Sequence, residues 1–232
     1  MHLKFKQCIA RSRRQGLLVH VRALLHRHLH LLLLGGAALL AGCAAGPKSL
    51  AASGTYDFGS SAAPVAERTM SPAAAAMPAL VLVEVTGSAA FDHERMGYRL
   101  NYANPLQAHV YANSRWSATP LQMLTQRFKA RVAQAGVKVL SATDASNGVP
   151  LLRIELDDFT HGFDSATSSH AQLVLRASLF YGHRLIDQRT LSRKVDATSA
   201  DAAGGARALA QAADAIAADM IAWLATQTLR TP

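Results

Sequence analysis

Cys43 is the residue whose surroundings most strongly indicate a chemical modification. It directly follows the small residues Ala41 and Gly42, and it closes a leucine-rich run that begins near Leu29, behind a basic N-terminal segment. A basic segment, an apolar run and small residues before a cleavage point are the three parts of a secretory signal peptide. We therefore predict that residues 1–42 are a signal peptide and that the mature chain starts at Cys43.

The stretch Leu40-Ala41-Gly42-Cys43 resembles a bacterial lipobox, in which the cysteine thiol is acylated and the chain is cut just before it. The expected modification of Cys43 is a covalent diacylglycerol together with an N-acyl lipid, and no other cofactor is expected. The alternative is an uncleaved transmembrane anchor. Cleavage is favoured because the apolar run is at the short end of the ~17 to 25 residues that a spanning helix needs, and it contains two adjacent glycines.

Catalytic and metal-binding residues are sparse. His161, Asp164 and His170 could meet around a metal, but their spacing matches no ligand pattern, so solvated loop histidines are the favoured interpretation. Asp157 and Asp158 are not expected to share an acid–base site, because neighbouring strand residues point to opposite faces. The chain also lacks the Gly-x-Ser-x-Gly, phosphate-loop, His-Glu-x-x-His and Cys-x-x-Cys motifs. We expect a protein that is not an enzyme and binds no metal.

Arg115 and Trp116 form a pair just before a predicted helix. An exposed arginine beside a tryptophan is typical of a binding hot spot. The favoured alternative is that Trp116 packs against the start of the helix while Arg115 is solvated.

The basic charge of the chain does not indicate a nucleic-acid partner. Seven of the 24 lysines and arginines precede Cys43, where no acid occurs, so they account for most of the net charge of +9. The same segment holds Cys8 and half of the ten histidines. The exported part is therefore nearly neutral and has no cysteine pair for a disulfide.

The hydrophobic periodicity predicts where the domain and its strands lie. Residues 43–55 are small and polar and are expected to form a flexible tether, and residues 56–232 the folded domain. Turns at Asn104-Pro105 and Gly182-His183 predict two hairpins. Short β-branched or alternating runs predict strands at residues 56–58, 80–85, 96–102, 106–111, 137–140, 152–157, 172–181 and 185–195.

Two amphipathic helices complete the predicted domain. The first starts at Thr119, with Pro120 in its first turn and Gln122 placed to complete a capping box, and it stops at Gly136. The second runs from residue 206 to about residue 227, with Trp223 as its core anchor. This order predicts an α+β fold: a single, mostly antiparallel β-sheet with both helices packed on one face.

Together these segments resemble the ABC-type transport auxiliary lipoprotein family, also called PqiC-like. The resemblance covers roughly residues 43–229, and its most specific parts are Tyr98-Arg99 and Arg115-Trp116. The segments that carry it are Tyr56-Asp57-Phe58, residues 80–85, residues 91–99 and residues 114–117.

The resemblance implies a non-enzymatic lipoprotein of the Gram-negative envelope that accompanies ABC transporter subunits and a periplasmic MCE-type protein in moving phospholipid or other hydrophobic molecules. Under it, Tyr98, Arg99, Arg115 and Trp116 form a family-motif surface with a structural or a partner-binding role. Because Ala44 and not aspartate follows Cys43, the lipid anchor is expected in the outer membrane, facing the periplasm. No nucleic acid is expected, and a homo-oligomer is left open.

Two other classes of function are alternatives on the sequence alone. One is an envelope assembly or regulatory lipoprotein, such as a cell-wall synthase activator or an outer-membrane protein assembly factor. The other is a lipoprotein that binds or hydrolyses a small molecule.

Overall fold

The computed structural model describes residues 54–60, 79–144 and 148–227, and these form nine strands and two α-helices. The helices are α1 (Pro120–Gln134) and α2 (Ala202–Ala225). The strands are β1 (Gly54–Tyr56), β2 (Ala79–Leu82), β3 (Thr86–Gly87), β4 (Arg95–Leu100), β5 (Ala108–Trp116), β6 (Lys138–Leu140), β7 (Leu151–Phe163), β8 (Ser169–Tyr181) and β9 (Arg184–Asp196).

The sheet is organised around β7. One edge of β7 pairs along its length with β8, which in turn pairs with β9, both antiparallel. Along its other edge β7 pairs in parallel with β2, β3 and β4 in succession. β5 follows antiparallel to β4, and the parallel pairs β1–β5 and β2–β6 complete the sheet.

The prediction of a mostly antiparallel sheet is therefore wrong, because the sheet is mixed. Parallel strands need a long crossover connection. Here α1 supplies it, because the chain leaves β5, passes through α1 and returns in β6 and β7 running in the same direction as β2. The α+β class itself is confirmed.

Both predicted hairpins are confirmed. β4 and β5 pair antiparallel across the turn that contains Asn104 and Pro105, and β8 and β9 pair across Gly182. Gly182 has a φ of +60°, a conformation that glycine adopts without steric cost.

The capping box of α1 is also confirmed. The Thr119 hydroxyl accepts from the backbone N–H of Gln122, and the Gln122 side chain accepts from the N–H of Thr119. α1 packs against α2 and β6, and α2 packs against β8 and β9. That both helices lie on one face of the sheet stays a prediction.

α2 starts at Ala202, four residues before the predicted start. Asp201 is its N-cap and accepts from the N–H of Gly204, so Gly204 and Gly205 lie in the first turn and do not precede the helix. By length and composition α2 could cross a bilayer, but its apolar residues are part of the core. Trp223 is buried there as predicted, and its indole N–H donates to Asp187 at 2.7 Å.

Several predictions fall on residues that the structure does not describe. Cys43, the signal peptide and the tether as far as residue 53 lie outside the described ranges. The last two residues assigned to the tether, Gly54 and Thr55, belong to β1. The short strand predicted at residues 56–58 is thus β1, displaced by two residues, because it pairs in parallel with the end of β5.

Candidate functional site

The hairpin of β4 and β5 carries all four residues of the predicted family-motif surface. Tyr98 and Arg99 lie on β4, and Arg115 and Trp116 lie at the end of β5. The two strands pair antiparallel, with an irregularity between Arg95 and Gly97. The structure therefore places the four residues on one supersecondary unit, but their side chains have different surroundings.

Trp116 belongs to the hydrophobic core. Its side chain is only 2% exposed, and its ring packs edge-on against those of Phe58 and Phe159. A side chain this deeply buried cannot be a partner contact in this conformation. Its burial fits a structural role, and its predicted packing against the start of the helix stays a prediction.

Tyr98 lies in an aromatic cluster that we call the Tyr–His cluster, formed by Tyr98, His109, Tyr111, His161 and Phe163. The Tyr98 ring stacks on His109 at 5.1 Å between centroids and lies 4.5 Å from Tyr111 and 5.7 Å from Phe163. Such offset and edge-on contacts are favourable beyond the apolar area that they bury. Tyr98 thus fixes the hairpin to β7.

His161 is the fully buried member of the Tyr–His cluster. Its Nδ1 shares a hydrogen bond of 2.9 Å with the Tyr111 hydroxyl, and its Nε2 has no protein partner among the described residues. Burial, followed by the nearby His170, lowers the pKa of His161 to about 4. Burial also raises the pKa of Tyr111, so both groups are neutral at physiological pH.

The contact between α2 and the Tyr–His cluster requires glycine. A Cβ on Gly205 would clash with the imidazole ring of His161. One on Gly204 would clash with Ser199, which precedes the helix. Any larger residue would push the helix away from β7. The Gly-Gly pair at the start of the helix is the available signal in the sequence for this contact.

Acidification should destabilise the fold through His161. Because the pKa of His161 is depressed from 6.5 to about 4 on folding, the unfolded chain binds its proton first, and the free energy of unfolding should fall between those values. The expected slope is up to ~1.4 kcal/mol per pH unit. Urea unfolding at pH 7 and pH 5 measures it. The variant His161→Gln should reduce the dependence of the free energy of unfolding on pH. The control His183→Gln, in an exposed turn, should leave that dependence unchanged. If His161→Gln also leaves it unchanged, His161 is not its source.

The positive charge of the hairpin comes from three arginines: Arg95, Arg99 and Arg115. The Arg99 guanidinium donates to the carbonyl oxygen of Pro105 at 3.2 Å, which ties β4 to the following loop. Arg95 and Arg115 lie directly opposite each other, and both are exposed. Neither forms an ion pair with any residue that the structure describes. We call these two residues the arginine pair; Arg95 was not among the predicted site residues.

The metal and acid–base candidates do not assemble. The interpretation of these residues as solvated loop histidines is wrong, because His161 lies on β7, His170 lies on β8 and both are buried. His161 lies on the core face of β7, whereas His170 pairs with Gly162 on the opposite face and is 2.8 Å from Asp164. Among the described residues no three His, Cys, Asp or Glu side chains could hold a metal ion together. A bulge interrupts the strand alternation between Leu156 and Asp158.

Because of this bulge, strand alternation no longer places Asp157 and Asp158 on opposite faces. The two carboxylates nevertheless have different partners. Asp157 lies 3.9 Å from Arg176, and Asp158 accepts from the Thr160 hydroxyl at 2.5 Å. Asp157 and Asp158 therefore make separate local contacts and do not share a site.

A partly buried ion cluster between the helices was not predicted from the sequence. Arg127 and Arg131 of α1 each bind both carboxylate oxygens of Asp214 in α2, at 2.6 to 2.8 Å, and we call these three residues the Asp214 clamp. Burial alone would raise the pKa of Asp214, but the hydrogen bonds from Arg127 and Arg131 outweigh it and lower that pKa. The spacing of the two arginines by four residues places them on one helix face and was the available signal.

Comparison with known proteins identifies the family. The family described as "ABC-type transport auxiliary lipoprotein component" matches residues 60–221. A crystal structure of a Xanthomonas campestris protein shares 20% identity at a TM-score of 0.56, over 63% of this chain and 83% of that one. A crystal structure of an uncharacterized protein shares 14% identity at a TM-score of 0.59, over 75% and 99%.

At these identities the two crystal structures bear on the fold alone, and no curated protein gives a significant match. The family match is different in kind because it extends over more than half of the chain. The chain therefore belongs to the ABC-type transport auxiliary lipoprotein family, whose members are envelope lipoproteins associated with ABC-type transport.

Proposed function

We propose that this protein is a membrane-anchored subunit of an ABC/MCE-type system that moves phospholipid or other hydrophobic molecules across the Gram-negative envelope. Its role there is docking or bridging, without catalysis. Acylated Cys43 holds it in the outer membrane, and the domain faces the periplasm. Family membership supports the transport context, and the signal and lipobox pattern supports the anchor.

The main support for the docking role comes from the arginine pair. Like charges directly opposite each other on neighbouring strands destabilise a sheet. Arg95 and Arg115 are opposite, exposed and without an ion-pair partner in the described part of the chain, so they do not serve the stability of the hairpin. Exposed charges of one sign favour and orient an oppositely charged partner. We assign the arginine pair to an acidic surface of the MCE-type protein.

Reversing the charge of the arginine pair should weaken that association. For the double variant Arg95→Glu/Arg115→Glu we expect recovery of the MCE-type protein to fall by about tenfold, which is ~1.4 kcal/mol, because like-charge contacts replace favourable ones. The measurement is affinity capture of the full chain from native membranes after mild crosslinking.

The matched control is Arg189→Glu, an exposed arginine on the distant strand β9. Its recovery of the MCE-type protein should equal that of the wild type, and thermal unfolding should show that both variants fold. Equal recovery by the double variant and the wild type would remove the arginine pair from the interface. Recovery of only a cell-wall synthase or an outer-membrane assembly complex would favour the regulatory alternative.

A further inference from the structure

The loop between β4 and β5, residues 101–107, presents apolar side chains to solvent, and we call it the hairpin tip. Leu106 is 89% exposed and Tyr102 is 54% exposed. The chain carries no acidic or basic residue apart from His109 between Arg99 and Arg115. An isolated exposed leucine is ordinary on a protein surface. Here a leucine and a tyrosine share one uncharged loop, and Arg99 lies just before it.

The hairpin tip is held in place by hydrogen bonds. The N–H of Asn104 donates to the carbonyl oxygen of Leu100 at 2.9 Å, and the N–H of Leu106 donates to the Asn104 side chain at 3.1 Å. Arg99 also binds the carbonyl oxygen of Pro105. The backbone therefore fixes Leu106 in its exposed position. A leucine held this way buries little surface and contributes little to folding.

The direction of β1 places the hairpin tip on the side from which the chain arrives. β1 is parallel to β5, with Gly54 opposite Ser114, and β5 starts at the hairpin tip. From Ser114 back to Ala108 the strand covers roughly 20 Å. Cys43 precedes Gly54 by eleven residues, which reach at most ~40 Å. The anchor therefore allows the tip to touch the membrane that holds the lipid.

We infer that the hairpin tip contacts the surface of the lipid bilayer, with Leu106 at the boundary between headgroups and acyl chains. This inference rests on the proposed lipid anchor at Cys43. Leucine partitions into that boundary, and the amphipathic ring of tyrosine prefers the headgroup level, where Tyr102 would lie. Arg99 stands just behind the tip, within reach of lipid phosphates. The arginine pair lies at the far end of the hairpin and remains available to bind a partner protein.

A fluorescent label at the hairpin tip tests the inference. The full chain is produced with Leu106→Cys, and its new thiol is labelled with the environment-sensitive dye NBD. No other thiol should react, because Cys8 is removed with the signal and Cys43 is acylated. The labelled lipoprotein is reconstituted into phosphatidylethanolamine–phosphatidylglycerol vesicles with and without nitroxide-labelled lipid. Leu185→Cys, at a 47% exposed leucine on β9, is the matched control.

We expect nitroxide lipid to remove most of the fluorescence at position 106 and little of it at position 185. A chain that floats with the vesicles but shows no quenching at position 106 would overturn the inference and leave the anchor intact; the tip would then face a protein. Equal quenching at both positions would also overturn it. A chain that does not float would overturn the anchor and the inference together. Thermal unfolding of both labelled variants checks that they fold.

Discussion

Asp214→Ala should destabilise the folded domain by about 3 kcal/mol, because it leaves the guanidinium of Arg127 buried without its carboxylate. Arg127 is 7% exposed and Arg131 is 13% exposed, and Asp214 is the acid that pairs with both. A third of Asp214 remains in contact with solvent, which keeps the expected loss near the lower end of the range for buried pairs. Urea unfolding of the purified chain measures the difference.

A surface ion pair provides the control for this prediction. Glu155 and Arg176 pair on the sheet, with 54% and 39% of their side chains exposed, so Glu155→Ala should cost less than about 1 kcal/mol. If Asp214→Ala and Glu155→Ala lower the free energy of unfolding equally, the Asp214 clamp contributes no more than a surface ion pair. The lowered pKa of Asp214 adds a pH dependence: its contribution is fully present above the ordinary aspartate pKa of 3.8 and is lost as the pH falls from there through the lowered pKa of the folded state.

Cys43→Ala should move the protein from the membrane to the soluble fraction. Several acyl chains on one residue anchor a protein stably, whereas a single chain is marginal. Without the thiol there is no site for the diacylglycerol, so the exported domain has no lipid to hold it at the membrane. Fractionation of the envelope, with intact mass of the recovered chain, measures the change.

The substitution Cys8→Ala is the matched control, because this cysteine lies within the predicted signal peptide. It should leave membrane retention and the mature mass unchanged. Retention of Cys43→Ala at the wild-type level, resistant to high salt, would contradict acylation and favour the uncleaved transmembrane anchor.

Local elements could be predicted from the sequence because their determinants are close along the chain. The capping box of α1 needs only Thr119, Pro120 and Gln122, and each hairpin needs only a turn between two alternating runs. The burial of Trp223 followed from its helical periodicity in the same way. For these elements the tertiary structure agrees with the local preference.

Contacts between distant segments were not predictable in this way. The parallel pairing of β2, β3 and β4 with β7 depends on the path of the chain through α1, which a periodicity of two does not reveal. Asp214 binds an arginine that lies 87 residues earlier in the sequence. The requirement for glycine at position 205 likewise depends on His161, which lies on a different element far away in the sequence.

The candidate site was predicted in part. The resemblance selected Arg115, which the structure places on an exposed strand end, and it also selected Trp116, which is in the core. Arg95 was missed because its significance depends on the register with Arg115. The apolar hairpin tip lies within the predicted hairpin, but exposure of Leu106 is a property of the fold and cannot be read from periodicity.

Photo-crosslinking in cells tests the docking role most directly. A photoreactive amino acid replaces Arg115 in the full lipoprotein, and in a second strain it replaces Arg189 on β9; the adducts formed on irradiation are identified by mass spectrometry. We expect an adduct with an MCE-type protein or a transporter subunit from position 115 and none from position 189. An adduct at position 115 with a cell-wall synthase or an outer-membrane assembly protein, and with no transport component, would contradict it.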